Sequence, residues 1–163
     1  MSRHLAEFLQ MSPVMQVGSR DVSLVPEAVR AAGYRFGAEL RDVRVFVPRA
    51  TGARTIENLR AYPRVAVVAA HPLDHRSLQF KGDVVGIGDC DEEDREAMVQ
   101  YLAGAGGLLE LAGMPRSITR RVASWPAWAI EIAVTDVFDQ TPGPGAGEPL
   151  RGPPSLRFPG GAT

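Results

Sequence analysis

At 163 residues the chain is sized for one domain with a real core, and a second full domain is not expected. Its 45% hydrophobic and 23% charged residues sit close to the globular average, which excludes a wholly disordered or fibrous chain. A net charge of -1 removes any general attraction toward nucleic acid or anionic membrane surfaces, so a bound anion has to be held locally.

Residues 2–10 place Leu5, Phe8 and Leu9 at helical spacing behind a Ser2 cap, which predicts a short amphipathic lead-in helix over one end of a sheet. Arg3 and Glu7 interrupt it, so no apolar stretch has signal-peptide length. No run approaches membrane-spanning length either, and a cytoplasmic protein is expected. From Pro13 the texture turns to short β-like runs at 14–17, 28–36, 43–47, 65–70, 78–87 and 129–138. Six strands in this length predict a mainly β fold, a barrel or sandwich with peripheral helices. Ser19-Arg20-Asp21 lacks the Gly-x-Ser-x-Gly elbow of a serine nucleophile and reads as a polar turn between the first two strands. Val43, Val45 and Val47 alternate with Asp42, Arg44 and Phe46, as a half-buried strand requires. Ile130, Ile132 and Val134 repeat that alternation around Glu131, while 65–70 is apolar on both faces and marks a central strand.

Between the third and fourth runs, Thr51 or Thr55 can cap a helix whose Ile56 and Leu59 form a buried stripe and which Pro63 ends after about two turns. Its start, Arg49-Ala50-Thr51-Gly52-Ala53-Arg54-Thr55, combines free backbone N–H groups, a glycine that allows close approach, hydroxyls and two guanidinium groups. Such a set can seat a phosphate or serve as an ordinary capped helix, and the surrounding sequence has to decide.

His71-Pro72-Leu73-Asp74-His75 offers two imidazoles, but Pro72 prevents a helix from presenting both on one face, so a solvated loop without metal is expected. Cys90 is the sole cysteine and permits neither an internal disulfide nor a cysteine-based zinc cluster, which fits a reducing compartment. Asp91-Glu92-Glu93-Asp94 places acid where a helix dipole favours it, with Met98, Tyr101 and Leu102 as the inner face. Gly104, Gly106 and Gly107 are expected to interrupt this helix; they lack the preceding strand of a nucleotide-binding loop. Short turns follow at 108–112 and 117–123, and Trp125 and Trp128 read as core or interface anchors. Proline and glycine then dominate 141–163, predicting a tail appended to a domain over 1–140.

Taken in order, the basic helix start, Asn58-Leu59-Arg60-Ala61-Tyr62-Pro63-Arg64-Val65 and the strand after it resemble the pyridoxamine 5'-phosphate oxidase-like split barrels, which show Asn-Leu-Arg-x-x-Pro-Arg-Val at this place. Arg76-Ser77-Leu78-Gln79-Phe80-Lys81-Gly82 is similar to the family's Arg-x-Val-x-Val-x-Gly strand, and Val137-Phe138-Asp139-Gln140-Thr141-Pro142-Gly143-Pro144 to its last strand and exit. The resemblance implies a six-stranded antiparallel split β-barrel of the FMN-binding type. It also implies a homodimer with FMN in clefts between subunits, and a flavin-dependent oxidoreductase acting on a small molecule. Carried over by position, Arg54 matches a phosphate-binding arginine and Thr55 stands where many members have lysine. Arg49 falls where a threonine touches the cofactor, and Ser77 where a glutamine meets the flavin ring. Arg30 lies near the basic residues of the second strand, and Thr51 adds its hydroxyl to the phosphate seat. A flavin needs its phosphate neutralised, donors at its pyrimidine edge and an apolar wall, tasks that fall here to Arg49 and Arg54, to Ser77, and to barrel valines. Two departures stand out: the second strand keeps only Arg30 of a basic pair, and the usual Ser-Arg-Lys becomes Ala53-Arg54-Thr55. The alternative is a non-enzymatic dimer that holds FMN or another phosphorylated, deazaflavin or haem-type ligand.

Overall fold

The structure, a computed structural model, describes residues 8, 10–36 and 42–150. The lead-in expected over 2–10, apart from Phe8 and Gln10, and the tail from 151 onward lie outside the described residues. Among them seven strands form one sheet: β1 (Val14–Arg20), β2 (Pro26–Arg30), β3 (Gly33–Phe36), β4 (Asp42–Pro48), β5 (Arg64–Ala70), β6 (Ser77–Asp89) and β7 (Ala127–Asp139). Their order is β2-β1-β5-β6-β7-β4-β3, with every neighbouring pair antiparallel. Helix α1 (Arg49–Ala61) joins β4 to β5, while α2 (Glu92–Leu111) and α3 (Arg116–Thr119) lie between β6 and β7.

β2 and β3 stand at opposite ends of the sheet, yet only Ala31 and Ala32 separate them in the chain. Such a link reaches about 11 Å, so the two ends of the sheet have to meet and the sheet has to roll. Hydrogen bonds record the switch of partner: the Ala31 N–H donates to Met15 O on β1 (3.0 Å), and the Ala32 N–H to Phe46 O on β4 (2.8 Å). The run 28–36, expected as one strand, is therefore two, and the barrel has seven strands rather than six. Both alanines are buried, and small side chains are what such a corner accommodates.

Met15, Val17, Val45, Val67, Leu78 and Ile130 fill the interior, and Ile56 and Leu59 of α1 join them. Phe46 points the other way, into a second cluster with Ala32, Met98, Ala127 and Ala129 beneath α2. α2 begins with a capping box, in which the Asp91 carboxylate accepts the Asp94 N–H and the Asp94 carboxylate accepts the Asp91 N–H. It then runs unbroken through Gly104, Gly106 and Gly107, against expectation. At Gly104 the reason is proximity, since a Cβ there would fall 2.3 Å from Ser12 Oγ. Asp94 is fully buried and holds α2 to the sheet, accepting Arg44 Nε (2.9 Å) and Arg35 Nη1 (3.1 Å).

α1 has Pro48 as its N-cap and no side-chain cap hydrogen bond. Thr51 lies exposed within the first turn and Thr55 is buried mid-helix, so neither caps it. The N-cap falls three residues before Thr51, and the 13-residue helix is longer than expected by more than a turn. Residues 141–150 fold back along β7, where the Leu150 N–H donates to Val137 O (2.8 Å) and the Gly147 N–H to Asp139 O (2.7 Å).

Candidate functional site

Arg49 opens α1; its N–H donates to Pro126 O (2.9 Å) and its guanidinium pairs with Asp89 and lies 5.3 Å from the centre of the Trp128 ring. Arg54 turns instead toward β2, with Nε 3.8 Å from Glu27 Oε2. Thr51 faces solvent, while the Thr55 hydroxyl is buried without a hydrogen-bond partner. Gly52 allows close approach as expected, but of the helix to β4: a Cβ there would lie 2.1 Å from Val47 Cγ1. Ser77 begins β6, its N–H bonded to Thr141 Oγ1 (3.2 Å) and its carbonyl accepting the Gln140 N–H (2.9 Å). Arg30 ends β2 and lines a separate cavity beside α2 and α3. Four of the six candidates thus share one helix, but its two guanidinium groups take partners on different strands.

A broad cleft of about 820 Å3 lies on the sheet, lined from β1, β2, β5, β6 and β7, and its volume suits a small-molecule ligand. None of the six candidates lines it. Because side chains alternate along a strand, the inward Met15 and Val17 leave Gly18 on the outer face. The pairing registers then align Ala28, Gly18, Ala66 and Lys81 across β2, β1, β5 and β6, with Asp136 next on β7. Three of these carry a methyl group or nothing, so the floor is a flat strip. Around it Arg20 stacks on Tyr62 (3.6 Å), Arg64 pairs with Asp83 (2.7 Å) and Lys81 lies 4.8 Å over Phe138. Glu27 and Asp136 add acid to an otherwise basic rim.

No local signal in the sequence groups Arg20, Arg64 and Lys81, because they sit on three different strands, 44 and 17 residues apart (20 to 64, 64 to 81). Arg64 and Lys81 do fall inside the two motifs that carried the resemblance. Burial first, then the Asp94 carboxylate, pushes the Cys90 thiol up to about 12, so it stays protonated at neutral pH and supplies no nucleophile. In the loop after β5, His71 Nδ1 meets Asp74 Oδ1 at 2.9 Å. No helix among the described residues is long and apolar enough to cross a membrane.

An antiparallel sheet rolled until its first and last strands are joined by two residues is the split β-barrel of pyridoxamine 5'-phosphate oxidase-like proteins. The chain is similar in structure to HupZ of Group A Streptococcus, with a TM-score of 0.55, 14% identity and coverage of 90% of this chain and 99% of that one. It is also similar to a Clostridium acetobutylicum protein of the pyridoxinephosphate oxidase family related to general stress protein 26 (TM-score 0.52, 12% identity, 83% and 84% covered). An F420 reductase aligns with a TM-score of 0.50 at 15% identity over 80% of this chain and 93% of that one. At these identities the likeness is one of fold. No family model and no curated protein matches the sequence.

Proposed function

We propose that this chain binds FMN as a homodimer and acts as a flavin-dependent oxidoreductase on a small molecule. The observation that carries the reading is the flat Ala28-Gly18-Ala66 strip with Arg20, Arg64 and Lys81 around it. A planar ring system needs a flat wall and its phosphate needs guanidinium or ammonium donors, and this cleft offers both. When bound, the flavin supplies hydride transfer at its ring; the chain binds it, orients it and keeps water from it. Arg49, Thr51 and Arg54 lie exposed outside the cleft of their own chain, and in this reading they reach the site from a second copy laid over the outer face; the buried Thr55 and Ser77 are left to hold their own chain together. Arg30 is left out of it, because it lines another cavity.

Purified full-length protein should be yellow, release FMN on denaturation, and quench added FMN with saturation once stripped. Ala66→Leu raises a side chain from the floor and should weaken FMN binding by about tenfold or more with the fold intact, in line with the cost of overpacking a close contact. A colourless protein that shows no saturable quenching would overturn the assignment. Co-purified F420 or haem would keep the cleft and replace the cofactor. Oxidation of a reductant by the flavin-loaded protein separates an enzyme from a binding protein.

A further inference from the structure

A second cavity, of about 340 Å3, lies between the end of β2, α2 and α3, and it shares no lining residue with the cleft. Arg30, Arg116 and Arg120 all line it. The Arg30 Nε is buried and has no hydrogen-bond partner. Among the described residues neither Arg30 nor Arg120 has a carboxylate partner, and Arg116 pairs only with Glu110 (2.5 Å) at the exposed edge. Two cations without countercharge beside a third repel one another, and a buried guanidinium N–H without an acceptor loses its hydration for nothing. An oxyanion in the cavity removes both penalties.

α2 contributes Gly106 and Gly107 to the lining, beside Leu102 and Ala103. Gly106 and Gly107 sit inside α2, where glycine is the poorest helix former after proline. Packing does not require them: a Cβ at Gly107 would meet nothing within 4 Å, and one at Gly106 only Thr119 Oγ1 at 3.9 Å. Neither has a positive φ. Gly104, one turn earlier, is different, since Ser12 leaves it no space. What the glycine pair achieves is open space in a cavity that Arg30, Arg116 and Arg120 line together with Thr119 and Ser124.

We infer that this cavity binds the phosphate group of a small molecule, gripped by Arg30, Arg116 and Arg120. Planar guanidinium groups match phosphate oxygens in pairs, and three of them suit a dianion better than a singly charged carboxylate. The test is calorimetric titration of the full chain with inorganic phosphate at low salt, with acetate as the carboxylate arm. The wild type should bind phosphate at one such site per chain and show no comparable heat with acetate. Arg120→Ala removes a donor, and Gly107→Met fills the cavity while improving helix propensity, so its fold can be verified by an unchanged or raised melting temperature. Each should weaken phosphate binding by about tenfold or more, in keeping with the loss of charge-assisted hydrogen bonds. Arg95→Ala, which removes a cation elsewhere on α2, should not. The inference is overturned if the wild type shows no saturable phosphate binding, if acetate binds as well as phosphate, or if the two site variants bind like the wild type. Phosphate taken up by the donors of the cleft is untouched by Arg120→Ala and Gly107→Met, so the loss in those two variants reports this cavity alone, whether or not the cleft holds a flavin.

Discussion

A Cβ at Gly52 would sit well inside van der Waals contact with Val47, so α1 lies on β4 only because that atom is missing. Gly52→Ala should therefore destabilise the protein by about 1–3 kcal/mol, as overpacking does, even though alanine is the better helix former. Urea unfolding measures this; an unchanged or raised midpoint would detach Gly52 from the strand and return it to a ligand. The sequence showed that something comes close at residue 52, but not what. A glycine at a helix start reports proximity, and only the fold tells whether the neighbour is a phosphate or a valine. Arg49 and Arg54 carry the same ambiguity, because Asp89 and Glu27 are remote in sequence and close in space.

α2 was legible at its start and illegible along its length. Four acids in one turn mark a helix N-terminus locally, whereas the partners of Asp94 lie 50 and 59 residues away on β4 and β3. Glycines that break an isolated helix did not break this one, because Met98, Tyr101 and Ala105 hold it down by tertiary packing. Burial alone would push the Asp94 carboxyl up; the hydrogen bond from Arg44, the Asp91 N–H and the charge of Arg35 outweigh it and hold the carboxyl below its usual range. Its stabilising contribution is thus complete above about pH 4 and is lost as the pH falls through the lower folded value. Asp94→Ala leaves Arg44 and Arg35 without their buried partner and should cost about 3 kcal/mol at neutral pH. Melting curves of both proteins should also draw together below about pH 4. A constant gap down to the acid limit would show that the carboxylate charge is not what ties α2 to the sheet.

For the molecule as a whole, the period-two pattern gave the strands and the motif order gave the barrel, but the cleft belongs to neither. Its floor is a row across four strands, set by the registers Gly18↔Ala28, Gly18↔Ala66 and Ala66↔Lys81, which no single segment encodes. Val68 and Ala70 continue the apolar outer face beside that row, only partly buried within one chain. A dimer closing over this face should appear in sedimentation, and Val68→Arg should shift it toward monomer. A monomeric wild type, or a variant that stays dimeric, would place the interface elsewhere. The Ala31-Ala32 link bears on a different hazard. It acts as a clasp on a rolled ribbon, bringing the two outermost strands together wherever the rest of the sheet pairs correctly. Residues inserted there would slacken the clasp and loosen the corner at which Ala31 bonds to β1 and Ala32 to β4, letting the two ends of the cylinder part. Two alanines thus set how tightly the cylinder closes.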